Sequence, residues 1–481
     1  MKYRAAIPCL VCQPAQREIA GVYTNCNRRM LALPRALLPF LLACASQAFA
    51  QSQTLIKLNV VATDAKGTPI TDLRATDLQI REDGKPRQVV FFRFGGNKGS
   101  IAQPAMNEFV NRPSPPLTLI LLDRWNEREL TMASAWQDVD SAVGRLETVD
   151  RLCIYFLANH GELLPVRALP GAESNLRPAA PPTTAAIVAK LNDTVRTLSG
   201  LRDVANFDPV FRANTTLQAL GIISQMAAFA GPKNLIWVTH GFPINVIDLT
   251  NQWVDFTGSL LALAQASVNA QVAIYTVDQS AQGAGADLAG FSDALSGSSS
   301  DARCRYQIAY YAPVHGGGSK EHKIRLDSAR KGIRLLTRAS YFGYQAMPDA
   351  DEMAEDAFNS ESHSPFEATE VGLRVAMSPK TSGVHLDIHV DPADVLLEHS
   401  GDRFQGSLSL AFALYHDGEF QSAAPALRQD INLTQEQYDD ALKNGIVIPR
   451  DVNLASEVQQ VRVMVFDRGA RGLGSATVPA K

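Results

Sequence analysis

Residues 117–127, LTLILLDRWNE, hold an apolar run, Leu117 to Leu122, broken only by Thr118, that ends at a carboxylate, Asp123. A run with so little polar alternation reads as a strand buried on both faces. An aspartate where such a strand surfaces is a cation ligand, a catalytic group or a helix cap. Three similar runs follow: RLCIYFLAN at 151–159, KNLIWVTHG at 233–241 and VAIYTVD at 272–278. Helix-length amphipathic stretches near 129–146, 183–198, 215–229 and 257–269 separate them. Strands alternating with helices predict an α/β fold, here a Rossmann-like doubly wound, mostly parallel sheet over 117–345. Ligands of such sheets sit at the carboxyl ends of the strands, which points to Asp123, Thr239, His240 and Asp278.

The text on either side changes period. Residues 51–95 are strand and turn, with a hairpin signal at Asp83-Gly84-Lys85-Pro86, and predict an N-terminal β module. Gly, Asn and Pro in 96–116 predict a linker. RCRYQIAYYAP and HKIRLDSARKGIRLLTRASYF, before 345, predict three strands that extend the sheet as a terminal hairpin. The acidic stretch within 346–365 reads as a second, exposed linker. From 366 to 481, VGLRVAMS, VHLDIHVD, SLSLAFALYHDG, DINL and VQQVRVMVFD predict a β-sandwich-like domain with one helix at 434–443.

The chain has 481 residues, 46% of them hydrophobic and 20% charged, a globular balance. Its formal charge of -4 supplies no basic field for nucleic acid. Residues 1–50 read as a signal peptide: Arg28, Arg29 and Arg35 precede the apolar run from Ala36, and Ala48-Phe49-Ala50 offers a cleavage site. Met30 would begin a leader of ordinary length and is an alternative start. A lipobox at Leu41-Leu42-Ala43-Cys44, with a lipid anchor on Cys44, is the less favoured reading because Leu42 fits it poorly. Cleavage removes six Lys/Arg and one Asp/Glu, leaving 39 against 48 and a charge of about -9. Only Cys153 and Cys304 then remain, and Cys153, inside an apolar run, reads as a small core residue rather than half of a disulfide. No other apolar run is long enough to span a bilayer, so the mature chain is expected to be secreted or periplasmic, without a transmembrane segment.

The order of these blocks, with KNLIWVTHGFP, VAIYTVD and the β-module text ATDAKGTPITDLRATDLQIREDGKPRQVVFF, resembles the von Willebrand factor type A domain family. More closely it resembles the VWFA-related secreted proteins of Acidobacteria, over most of the chain from residue 54. The resemblance implies a metal-ion-dependent adhesion site: a D-x-S-x-S loop after the first strand, a threonine before a middle helix and an aspartate after the fourth strand. Mg²⁺ takes oxygen ligands in near-octahedral geometry and leaves one position for a partner's carboxylate. Asp123 matches the first ligand, Trp125 and Glu127 replace the serines, Thr216 or Thr215 takes the threonine role, and His240 replaces the aspartate. Imidazole is a poor ligand for a hard cation. The resemblance therefore implies a degenerate site of Asp123, Glu127 and Thr216, holding weak Mg²⁺ or Ca²⁺ or no cofactor. In the alternative, Asp123 with Asn126 caps the following helix.

Trp125, Asn126 and His240, in the loops above the sheet, are the candidate partner-binding residues. For Trp125 the rival is a ring folded onto the helix below. VHLDIHVD places His385, Asp387, His389 and Asp391 on one strand face, which is either a solvated face or a metal pair lacking a third strong ligand. Neither SGSSSD near Ser296 nor THGFP forms a nucleophile motif, and GAGADLAG at 283–290 has the wrong spacing for a nucleotide loop. The expected function is a non-enzymatic protein-binding chain of adhesion or scaffold type, its partner a protein. The alternatives are an envelope hydrolase using Asp123, His240 and Asp278, or a purely structural envelope component.

Overall fold

The structure is a computed structural model. It describes residues 53–66, 68–94, 107–111, 116–126, 143, 151–170, 183–199, 208–239, 242–278, 305–313, 321–338, 340–342 and 349–480. The leader, Cys44, Cys304, Ser296 and the 283–290 glycines lie outside the described residues, as does all but Val143 of the helix expected at 129–146.

Gln53–Thr63 buries Ile56, Leu58, Val60 and Ala62, alternate residues that a pleated strand turns to one face. It pairs antiparallel with Arg305–Pro313, from Gln53↔Pro313 to Val61↔Arg305, in a sheet completed by Arg334–Leu336 and Phe91–Phe94. A second sheet orders Ser340–Phe342, Glu321–Ser328, Leu78–Glu82 and Lys85–Arg87. The two share a core of Ile56, Leu58, Ile80, Tyr306, Ile308 and Tyr310. Asp83 and Gly84, at φ 48° and 79°, make the tight two-residue turn that the sequence signalled. The strands after residue 305 thus complete the amino-terminal layers and do not extend the central sheet.

At the other end, Glu108–Val110, Leu373–Lys380, Gly383–Val390 and Ile446–Asn453 form one antiparallel sheet. Glu398–Ser400, Arg403–His416, Gln460–Asp467 and Leu473–Pro479 form another, with Glu419–Ala423 and Leu427–Thr434 also paired to Arg403–His416. Leu386, Ile388, Leu408, Leu410, Val463 and Val465 lie in the core between them. The helix expected at 434–443 is Gln435–Asn444, opened by a Thr434/Gln437 capping box. Where an exposed linker was expected, Ala350–His363 is a helix. It packs Ala354 and Phe358, one turn apart, against Ala411, Ala413 and Phe466. Its many carboxylates hid that narrow apolar stripe.

The α/β class expected for the chain is overturned. Among the described residues strand outweighs helix, 48% against 24%, and every sheet but one is antiparallel throughout. A Rossmann-like doubly wound parallel sheet is not shown; among the described residues parallel pairing is confined to a five-stranded mixed sheet in the middle of the chain. There Leu117–Asp123 lies between Leu152–Leu157 and Lys233–Thr239, parallel to both, with Val272–Asp278 beyond the latter. The edge strand Leu163–Arg167 runs antiparallel to Leu152–Leu157. Most of the described strands belong to the flanking layers, whose half-polar alternation is quieter than the unbroken central runs. Among the described residues, Thr184–Ser199, Pro209–Leu220, Ile222–Met226 and Thr257–Asn269 are the helices that accompany the sheet. Among the described residues no helix is long and apolar enough to cross a membrane.

Residues 366–372 wedge against the amino ends of the central strands. Arg151, just before Leu152, stacks over Phe366 at 4.5 Å and donates to the Glu367 carbonyl at 3.1 Å. Glu370 is buried, and its Oε1 accepts from Gln271 Nε2 at 3.4 Å and Gln307 Nε2 at 3.3 Å. Burial would raise the Glu370 carboxyl, but the charges of Lys57, Arg93 and Lys233 outweigh it and hold the group below the ordinary range. Lys233, buried at the start of its strand, donates from Nζ to the carbonyls of Phe229 and of Gly231, the latter at 2.7 Å. Desolvation pushes its ammonium down to about 8. One carboxylate thereby joins side chains from the amino-terminal layers, the central sheet and the carboxyl-terminal layers.

Candidate functional site

Asp123 closes its strand at 1% exposure, so its carboxylate must be satisfied within the protein. Its Oδ1 accepts from the Asn126 backbone N–H at 3.0 Å. Its Oδ2 accepts from Asn126 Nδ2 at 2.8 Å, Thr239 Oγ1 at 2.8 Å and Trp237 Nε1 at 3.1 Å. Burial raises the carboxyl above its ordinary value, and the Asn126, Thr239 and Trp237 donors pull the other way. A carboxylate only accepts, so the Asn126 amide must turn its nitrogen toward Asp123.

That nitrogen also lies 3.0 Å from Thr216 Oγ1, whose hydroxyl donates to the Arg212 carbonyl at 2.9 Å. A cation shared by Asp123 and Thr216 needs the position between their oxygens, and there the Asn126 amide bridges them instead. Among the described residues, a hydrogen-bond donor, the Asn126 amide nitrogen, thus stands where Mg²⁺ would need oxygen ligands. Glu127 and His240 lie outside the described residues, and Asp278 is described as the end of its strand without its side chain. Asp123, Asn126 and Thr216 are therefore brought together, as a hydrogen-bonded corner. Among the described residues no group of three or more His, Cys, Asp or Glu is placed to hold a metal.

Trp125 is 3% exposed, so it does not present its ring to solvent. Its Nε1 donates to Thr215 Oγ1 at 2.8 Å, the Arg212 guanidinium lies 5.0 Å from its centroid, and Phe211 meets it edge-on at 6.4 Å. Trp125 thus joins the loop to the helix Pro209–Leu220. Gly161, at φ 79°, permits the facing turn: a Cβ there would lie 2.7 Å from Thr215 Cβ.

The exposed apolar surface near this helix comes from a segment the sequence reading passed over. Asn245–Ile247 and Trp253–Asp255 pair as a two-stranded hairpin, with Val246↔Val254 and Ile247↔Trp253 opposite each other. Val246 is buried with Ala213 and Phe256, and Val254 packs against them, which seats one face on the helix. The other face is open: Leu249 at the turn is 81% exposed, Trp253 72% and Ile247 41%. The pattern INVID, LTN, QWVD carried the hairpin signal, two β-branched runs around a turn.

Elsewhere, His385 and His389 do not converge. His385 Nδ1 lies 2.6 Å from Asp451 Oδ1, while His389 Nδ1 lies 2.8 Å from the Asn444 carbonyl oxygen. Cys153 is a free, buried thiol that burial pushes up to about 12, which makes it inert. No family model matches the chain, and no curated protein matches it.

Proposed function

We propose that this chain is a non-enzymatic, secreted or periplasmic protein-binding chain of adhesion or scaffold type. It docks its partner beside the carboxyl ends of the central strands, without a bridging cation. The observation that carries the reading is the apolar face of the hairpin, Ile247, Leu249 and Trp253, standing in solvent. Large apolar side chains grouped on one small element cost solubility, and a binding surface is the usual reason to retain them. The Asp123 corner supports the same reading: its oxygens are engaged by amide, hydroxyl and indole donors, a hydrogen-bonded support for the loop beside it. The resemblance to von Willebrand A domains adds an expectation about where ligands dock, and the leader supplies the compartment.

The test is affinity capture from cell-envelope fractions with the tagged full chain, its Leu249→Ser/Trp253→Ser variant, and each in EDTA. The captured protein is then identified and its binding measured directly. Retention in EDTA with loss of about tenfold or more in affinity in the variant is expected. A partner released by EDTA, or held equally by the variant, overturns the proposal.

A further inference from the structure

The hairpin also offers its backbone. Phe256 N–H donates to the Ile244 carbonyl at 2.8 Å and Asp248 N–H to the Gln252 carbonyl at 2.9 Å. Since alternate residues of an antiparallel ladder face inward, Val246 and Val254 complete the inner bonds. The N–H and C=O groups of Asn245 and Ile247 then point out along one edge, and those of Trp253 and Asp255 along the other. Among the described residues no strand pairs with either edge. A two-stranded ribbon is marginal alone and gains from a third strand.

Charge narrows the guest. Between residues 242 and 256 the charged side chains are Asp248 and Asp255, with no lysine or arginine. The Gln252 and Thr250 backbone amides and the Thr250 hydroxyl hold the Asp248 carboxyl below the ordinary range, and the Thr257 hydroxyl and amide do the same for Asp255. A second copy of the chain would bring the same two aspartates against these, and an anionic lipid surface would repel them.

We propose that the hairpin binds an extended segment of a partner protein by strand addition, a segment in which apolar residues alternate with lysine or arginine. Backbone pairing supplies the docking geometry; Ile247, Leu249 and Trp253 cover the apolar side chains, and Asp248, which the strand alternation puts on the opposite face from Ile247, meets the basic ones. This rests on the docking role proposed above and specifies its mode and its partner's chemistry.

The test uses the full chain and three labelled ten-residue peptides read by fluorescence anisotropy: alternating Val-Lys, alternating Val-Glu, and Val-Lys with every second amide N-methylated. Saturable binding of the first is expected, about tenfold tighter than either of the others, and weakened about tenfold by Leu249→Ser/Trp253→Ser. Equal binding of Val-Lys and Val-Glu, tolerance of N-methylation, or no binding at all overturns the proposal. So does finding that the same variant instead abolishes self-association or attachment to phosphatidylglycerol vesicles. If the variant loses its envelope partner while no peptide binds, docking stands and strand addition falls. If Val-Lys binds at the hairpin while the envelope partner ignores the variant, strand addition stands and the docking role falls.

Discussion

At the carboxyl end of the central sheet the described partners of Asp123 are uncharged donors; at the amino end Glu370 sits among Lys57, Arg93 and Lys233. The partners of Asp123 come from the loop that follows it and from the neighbouring strand Lys233–Thr239. Those of Glu370 come from three separate parts of the chain. Neutral donors can hold a buried carboxylate with little long-range field, so the corner around Asp123 is self-contained. A charged knot ties its contributors together, because removing one member leaves the others buried without compensation. One end of the sheet is organised for cohesion, and the other leaves the apolar face of the hairpin beside it open to solvent.

The largest expected effect falls at the amino end. Glu370→Ala should lower unfolding stability by about 3 to 5 kcal/mol in chemical denaturation, through uncompensated Lys57 and Lys233. A loss under about 1 kcal/mol would erase the contrast between the two ends. Asp123→Ala should cost less, about 2 to 3 kcal/mol, by leaving the Trp237, Thr239 and Asn126 donors unpaired. EDTA should leave the melting temperature of the wild type unchanged. A melting temperature that falls in EDTA and recovers with Mg²⁺ would show that a cation, and not the Asn126 amide, bridges Asp123 and Thr216.

Protonation sharpens the comparison further. The Lys233 ammonium is lowered to about 8 from 10.5, so its neutral form suits the fold; the stability this gives is complete above pH 10.5 and lost as pH falls through 8. Relative to Lys233→Met, the wild type should lose about 2 kcal/mol between pH 9.5 and pH 7 in urea titrations. Asp123 has the opposite sign. Its raised carboxyl contributes stability that is present below the unfolded value, 3.8, and lost as pH rises through the folded one. The smallest effect belongs to the hairpin: Leu249→Ser/Trp253→Ser should change stability by no more than about 0.5 kcal/mol, because those side chains already face water. A larger loss would mean that the hairpin face packs within the molecule.

Much of this was legible in the text, unevenly. Unbroken apolar runs reveal buried strands whatever lies beside them, so Leu117–Asp123 and Lys233–Thr239 stand out, and with them Asp123 and Thr239. Pairing partners are not local information. Nothing in RYQIAYYAP says that it will lie beside Gln53–Thr63 rather than beside the central strands, and that silence misdirected the fold class. The helix Ala350–His363 escaped notice because two apolar contacts one turn apart are a faint signal among carboxylates. At the site, a tryptophan in a loop after a buried strand reads equally as bait or as anchor. Only the Thr215 hydroxyl 2.8 Å from its indole nitrogen decides for anchor.

The long ladder between Gln53–Thr63 and Arg305–Pro313 bears on the order of assembly. A chain emerging amino end first exposes its opening strand, with Ile56, Leu58 and Val60, well before the mate that will cover it exists. Until Arg305–Pro313 arrives, that strand is an adhesive edge, available to a chaperone or to a neighbouring nascent chain. Maturation of this protein should therefore be paced by the late closure of its earliest segment, and truncations that end before residue 305 should aggregate instead of yielding a smaller soluble product.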